Sequence, residues 1–278
     1  MTSSPQRILM CPPDYFAVNY VINPWMQDHV GGTAAATAKA QWQKLHDSIA
    51  ALCPVVIQSP QPGLPDLVFT ANAGLVYRGS AIVSRFRNQE RQGEETHDAT
   101  CFRSLGLKLH DWPADVQFEG AGDALFDRGQ DLLWLGFGFR SDARAAALLE
   151  GFLAVEVAVL ELVDPRFYHL DTCWCPLEGG TVLYYPPAFS AASQKLIASR
   201  IPEAKRIAVS EADALGFACN AVNIGNHVLL NHATPALRQS LQHAGFTLHL
   251  CPLTEFMKAG GAAKCLTLKL AEPEPIRG

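Results

Sequence analysis

The stretch "GGAAKCLTLKL" (260–270) sets Cys265 between a glycine turn and an alternating run that reads as a strand. Far upstream, "FYHLDTCWCPLEGG" (167–180) places His169 and Asp171 two positions apart. A thiolate is a strong nucleophile at neutral pH, and an imidazole exchanges protons there. On a strand, His169 and Asp171 project from one face, so one serves a leaving group while the other grips a substrate. "FEGAGD" (118–123) adds Glu119 and Asp123, and "DLVFTANAGLV" (66–76) adds Asn72. A thiol, an imidazole, carboxylates and a carboxamide together suit covalent attack on an electrophilic carbon with acid–base assistance.

Cysteine identity alone selects nothing, because the chain has 8 of them among 278 residues. They are scattered, as expected of free buried thiols in a reducing cytosol rather than of a disulfide framework. "CWC" at 173–175 lacks the spacing and the second pair of a zinc site, so both read as packing and no metal is expected. "EGAGDALF" has no strand–GxGxxG–helix setting and no phosphate-binding lysine, so no nucleotide cofactor is expected. The net charge of −5 argues against a nucleic-acid surface. No apolar run approaches the ~20 residues of a membrane span. The start "MTSSPQRILMCPP" has no secretory pattern, and a cytoplasmic protein follows.

One scheme recurs in the elements that must position these groups: polar start, apolar run, glycine turn, apolar run. It occupies 66–86, 118–140, 169–187 and 219–231. The expected turns lie at Arg78–Ser80, Arg128–Gln130, Glu178–Gly180 and Gly225–Asn226. Helical segments follow at 94–105, 141–153 (capped by Ser141 or Asp142), 190–200 (capped by Ser190) and 234–245 (capped by Thr234, stopped by Gly245). Short strands come next: "LKLHDWP", "VEVAVLEL", "KRIAVS" and "FTLHLCP". A fifth unit needs both ends of the chain: "KCLTLKL" pairs with "RILMCPP", while 33–52 and "VVIQS" supply its helix and outer strand. The expectation is one domain over 1–278, an α/β ring of repeated units with no free sheet edge. In a ring the polar starts converge: Asp66 and Asn72, Glu119 and Asp123, His169 and Asp171, Cys219 and Asn220, and Cys265.

These motifs, in this order, resemble the guanidino-group-modifying enzymes: arginine deiminases, dimethylargininases and amidinotransferases. The resemblance rests on "DLVFTANAGLV", "FEGAGD", "FYHLDT" and "GGAAKC" and covers nearly the whole chain. It implies a five-bladed pseudo-symmetric α/β propeller, closed by the N- and C-terminal strands. "MCPPDYFAVNYVINPWM" (10–26) and Asn72, where deiminases and dimethylargininases carry Asp, resemble the bacterial arginine dihydrolases. That branch converts arginine to ornithine, two ammonia and carbon dioxide in two hydrolytic rounds.

The resemblance assigns Cys265 as the nucleophile that forms a thiouronium intermediate, and His169 as the acid and base. Glu119 orients the imidazole. Asp171 and Asn72 hold the guanidinium. Arg91 and Arg140 meet the α-carboxylate, with Arg85 and Arg87 as competitors in register. Phe69 walls the alkyl chain and Asn23 contacts the amino-acid end. Of the pair in "EGAGD", Glu119 is read as chemical and Asp123 as structural. An Asn at 72 both accepts from N–H and donates to a carbonyl, so it suits a neutral ureido intermediate better than Asp. The expected partner is a small molecule, arginine or a methylated arginine, with self-association open. The runner-up is a dimethylargininase or deiminase stopping at citrulline; an amidinotransferase is disfavoured by length. Residues 11–32 are expected to form a lid.

Overall fold

Where apolar residues alternate around a glycine turn, the chain doubles back on itself. The computed structural model describes residues 6–271; the expected domain limits at 1 and 278 lie outside them. Four consecutive sheets repeat one plan, a hairpin followed by a helix and a parallel third strand. They are β3 (Gly74–Tyr77), β4 (Ser80–Val83) and β5 (Lys108–Leu109); β6 (Ala124–Phe126), β7 (Leu132–Phe137) and β8 (Glu156–Glu161); β9 (Trp174–Leu177), β10 (Thr181–Tyr184) and β11 (Arg206–Ala208); and β12 (Val222–Ile224), β13 (His227–Leu230) and β14 (Thr247–Leu250). The fifth sheet joins both ends: β1 (Ile8–Met10) lies antiparallel to β15 (Leu268–Lys269) and parallel to β2 (Val55–Ile57). The helices between second and third strands span Ala35–Ala50, Glu94–Ser104, Ala145–Leu153, Ala191–Arg200 and Pro235–His243.

The hairpin turns fall where the sequence places them. Arg78 and Gly79 both have positive φ (46° and 78°), the left-handed pair that a two-residue hairpin requires. Asp127 Oδ1 accepts from the backbone N–H groups of Gly129 and Gln130 and folds the second turn. Ser190 and Thr234 cap their helices, accepting from Ser193 N and Leu237 N. The helix Ala35–Ala50 buries Ala38, Trp42, Leu45 and Ile49, a stripe at helical spacing. Each such fully buried large side chain contributes about 1.5–3 kcal/mol.

Three local expectations are corrected. The third helix begins at Ala145 with no side-chain cap. Ser141 is not its cap, because its hydroxyl donates to Asp123 Oδ2 at 2.6 Å; Asp142 accepts instead from Arg144 N. The strand expected over "LKLHDWP" shrinks to Lys108–Leu109, because Trp112 turns aside to stack on Phe118 and donate Nε1–H to Val116 O. Finally, Asp171 is not on a strand. Leu170–Thr172 form a 3-10 turn, with Thr172 N and Oγ1 both donating to His169 O, so strand alternation does not set where Asp171 points. Similar turns, Thr70–Ala73 and Gly120–Gly122, precede β3 and β6.

Candidate active site

These leading turns gather the polar groups in the interior. Cys265 is 3% exposed, and its Sγ lies 3.4 and 3.6 Å from the two carboxylate oxygens of Asp171. Asn220 builds the loop that holds the thiol. Its Oδ1 accepts from Ala262 N (3.0 Å) and Cys265 N (3.1 Å). Its Nδ2 donates to Asp171 O and reaches Sγ at 3.1 Å. Burial, with Asp171 beside it, pushes the Cys265 thiol well above the usual range despite the Ala262 and Asn220 donors. Burial likewise raises Asp171 to about 6, against the pull of Lys264, Cys265 and Asn220. Cys265 is therefore held as a thiol that donates to Asp171.

A second group surrounds Glu119, which is fully buried. Its Oε2 accepts from Arg140 Nη1 (3.1 Å) and sits 2.7 Å from His169 Nε2, while Oε1 accepts from Arg87 N (3.2 Å). Burial pushes this carboxyl upward, but Arg140 and His169 outweigh it and hold the group well below the usual carboxylate range. An ionised Glu119 only accepts, so Nε2 of His169 carries its proton and Nδ1 is left to exchange one. Asp123 bonds to scaffold only, accepting from Ser141 N, Ser141 Oγ and Leu170 N. It ties down the turn that presents His169.

Beside Cys265 opens a narrow cavity lined among others by Asn23, Phe69, Asn72, Arg91, Arg140 and Tyr168. Asn72 Nδ2 donates to Glu119 O at 3.3 Å, and Arg91 Nη1 donates to Asn72 Oδ1 at 2.9 Å. A Cβ at position 122 would lie 2.2 Å from Asn72 Nδ2, so any side chain there displaces the carboxamide. Arg140 stacks on Tyr168 at 4.6 Å and donates Nη2–H to Ile22 O. Arg91 is more fully engaged, with Nε and Nη2 both on the Glu94 carboxylate. Of the register competitors, Arg85 pairs outward with Glu95, and Arg87 donates to Arg140 O. Asn23 Nδ2 donates to Ala259 O and its Oδ1 accepts from Trp25 N, pinning the 20s segment over the cavity.

All nine residues expected at the site are thus in one connected constellation. Two contributors carried no assigned role in the sequence reading. Asn220 was legible only as one of the converging polar starts. Asp66 was too: Tyr20 donates to its Oδ2, while its Oδ1 is buried without a hydrogen-bond partner among the described residues, in a side chain that lines the cavity. Cys219, also expected at the convergence, is packed in an apolar cluster with Trp174 and Cys175 instead.

Five hairpin–helix–strand units gathering a buried thiol, an imidazole and guanidinium-complementary acids are the arrangement of the guanidino-group-modifying superfamily. Within it, the chain belongs to the N,N-dimethylarginine dimethylhydrolase family, whose eukaryotic family model matches residues 26–272. The chain is 52% identical over 96% of its length to the bifunctional arginine dihydrolase/ornithine cyclodeaminase ArgZ of Synechocystis sp.. It spans only 38% of that relative's length. It is 42% identical over 97% of its length to the N(G),N(G)-dimethylarginine dimethylaminohydrolase of Mycobacterium tuberculosis, spanning 87% of it. The crystal structure of the N-terminal domain of ArgZ, in a mutant bound to substrate, superposes with a TM-score of 0.95 at 51% identity, covering 96% of this chain and 99% of that one. No helix among the described residues is long and apolar enough to cross a membrane.

Proposed function

We propose that the chain is a cofactor-free arginine dihydrolase, converting arginine to ornithine, two ammonia and carbon dioxide. The observation that carries this is Asn72 beside Cys265 in the same cavity. A guanidinium resting on Asp171 would draw the adjacent thiol proton off, because its positive charge replaces the repulsion that now holds the thiol up. The thiolate adds to the guanidinium carbon, and His169 protonates the departing ammonia. A water then gives its proton to His169, adds to the thiouronium carbon and expels Cys265. The product of that round is a ureido group, neutral and bearing a carbonyl. Asn72 donates to that carbonyl, which an Asp cannot do. A second cycle releases the second ammonia and a carbamate that loses carbon dioxide.

Arg140 meets the α-carboxylate, keeping N–H donors beyond those spent on Glu119 and Ile22. Arg91 assists with the remaining N–H of Nη1. The orphaned Oδ1 of Asp66 takes the α-ammonium. Phe69 walls the methylene chain, and Asn23 closes the amino-acid end. We read the five sheets as blades of one closed propeller domain, acting in the cytoplasm and open to self-association. The alternative, a dimethylargininase that stops at citrulline, is favoured by the Mycobacterium relative.

Mass spectrometry of the products from purified protein and arginine tests the reading, with Cys265→Ala alongside. Ornithine with two ammonia, absent in the mutant, supports it. Citrulline as the end product moves the chain to the dimethylargininase or deiminase reading.

A further inference from the structure

Asn72 is a carboxamide whose two ends differ chemically, so its orientation toward the substrate matters. Arg91 decides that orientation. The guanidinium is buried over the Phe86 ring at 4.5 Å and donates Nη1–H to Asn72 Oδ1 at 2.9 Å. With Oδ1 taken, Nδ2 turns to the carbonyl of Glu119 and to the space that Gly122 leaves. The flipped carboxamide sets its N–H groups against the Arg91 donor and its oxygen against a carbonyl oxygen. Both contacts are unfavourable in a site that water does not relieve.

Arg91 is in turn held by Glu94. Nε donates to Oε1 at 2.9 Å and Nη2 to Oε2 at 2.7 Å, a two-point pair that fixes the plane of the guanidinium. Glu94 is 2% exposed and is not among the residues that line the cavity. It reaches the substrate only through Arg91 and Asn72. A carboxylate at 72 has two equivalent oxygens and needs no such control.

We propose that Glu94 is a positioning residue for the second hydrolysis. By clamping Arg91 it keeps Asn72 Oδ1 engaged, so that Nδ2 is the end left to donate to the ureido carbonyl, and so sets the share of ureido intermediates carried on to ornithine. This rests on the dihydrolase reading above.

The test is the ratio of ornithine to citrulline formed per arginine consumed, measured for the full chain. That ratio is independent of how much of a preparation is folded, so a merely structural role leaves it unmoved. In Glu94→Gln an amide N–H faces the Arg91 donors, and the ratio falls about fivefold, the factor for one ordinary hydrogen bond. Glu94→Asp, which reaches Arg91 with a shorter arm, gives an intermediate ratio and carries the test alone if the Gln variant does not fold. A wild-type ratio in both variants, with Asn72→Asp shifted toward citrulline, overturns the role of Glu94 and leaves the dihydrolase reading intact. A wild-type enzyme that makes no ornithine overturns both.

Discussion

At the residue scale, Asp171 and Glu119 show the same burial acting with opposite net results. Two cations or potential cations face Glu119, and it stays ionised. Asp171 has Lys264, the Cys265 thiol and Asn220 to favour its ionised form, but burial outweighs them and its proton leaves at about 6. The folded state therefore holds that proton more tightly than the unfolded chain does. Stability from Asp171 is fully present below its ordinary value of 3.8 and is lost as pH rises through about 6. At neutral pH the ionised group is a cost to the fold, which its proposed role in holding the guanidinium accounts for. Asp171→Asn removes the charge, and the expected outcome is a higher Tm at neutral pH together with loss of arginine hydrolysis. Each kcal/mol recovered is worth about 2–4 °C in a chain of this size. Thermal melts at about pH 7.5 and 4.5 check the sign: the Tm gap over wild type shrinks in acid. A gap equal at both values would mean the ionised carboxylate costs the fold nothing.

At the element scale, the segment before the first long helix is ordered by what it touches. Asn23 grips Ala259, Trp25 donates to Arg166 O, Arg140 holds Ile22 O, and Tyr20 donates to Asp66. Two of these anchors, Arg140 and Asp66, are groups that the substrate's amino-acid end would engage. Arginine binding is therefore expected to change protease cutting near the exposed Val21 and Val30. Limited proteolysis with and without arginine reads this, and identical cleavage rates would remove the lid. The same contrast explains what was legible in the sequence. Hairpin turns announce themselves through glycine, as at Gly79 and Gly225, and helix starts through Ser190 and Thr234. The 3-10 turns carrying Asn72 and Asp171 do not, because four or three residues contain no period to read. Asn220 was illegible as a scaffold for a different reason: its partners, Ala262 and Cys265, arrive from 42 and 45 residues away and are backbone groups. Arg91 and Glu94 did stand at a helical i,i+3 spacing, though nothing in the letters tied them to Asn72.

At the scale of the whole molecule, the fifth sheet is the part most exposed to injury. Its central strand, β1, is hydrogen-bonded to β2 on one side and to β15 on the other, with Leu9 opposite Leu268. Ile8, Leu9 and Met10 are all fully buried. The expected pairing of "KCLTLKL" with "RILMCPP" is met. Removing residues 1–10 strips the partner from β15, which follows Cys265 by only a few residues. The expected outcome is a large fall in Tm and rapid alkylation of a thiol that is buried in the intact chain. A truncated protein with wild-type melting and a slow-reacting Cys265 would show that β15 is held by other contacts.

That pairing also sets the order in which the site's parts occur along the chain. Among the described strands β1 comes first; it pairs with β2 at residues 55–57 and with β15 only at residues 268–269. Cys265 lies just before β15, after every carboxylate, imidazole and carboxamide of the candidate site in sequence order. The proposed recognition groups thus precede the proposed nucleophile along the chain, and the strand that completes the fifth sheet follows the thiol within a few residues.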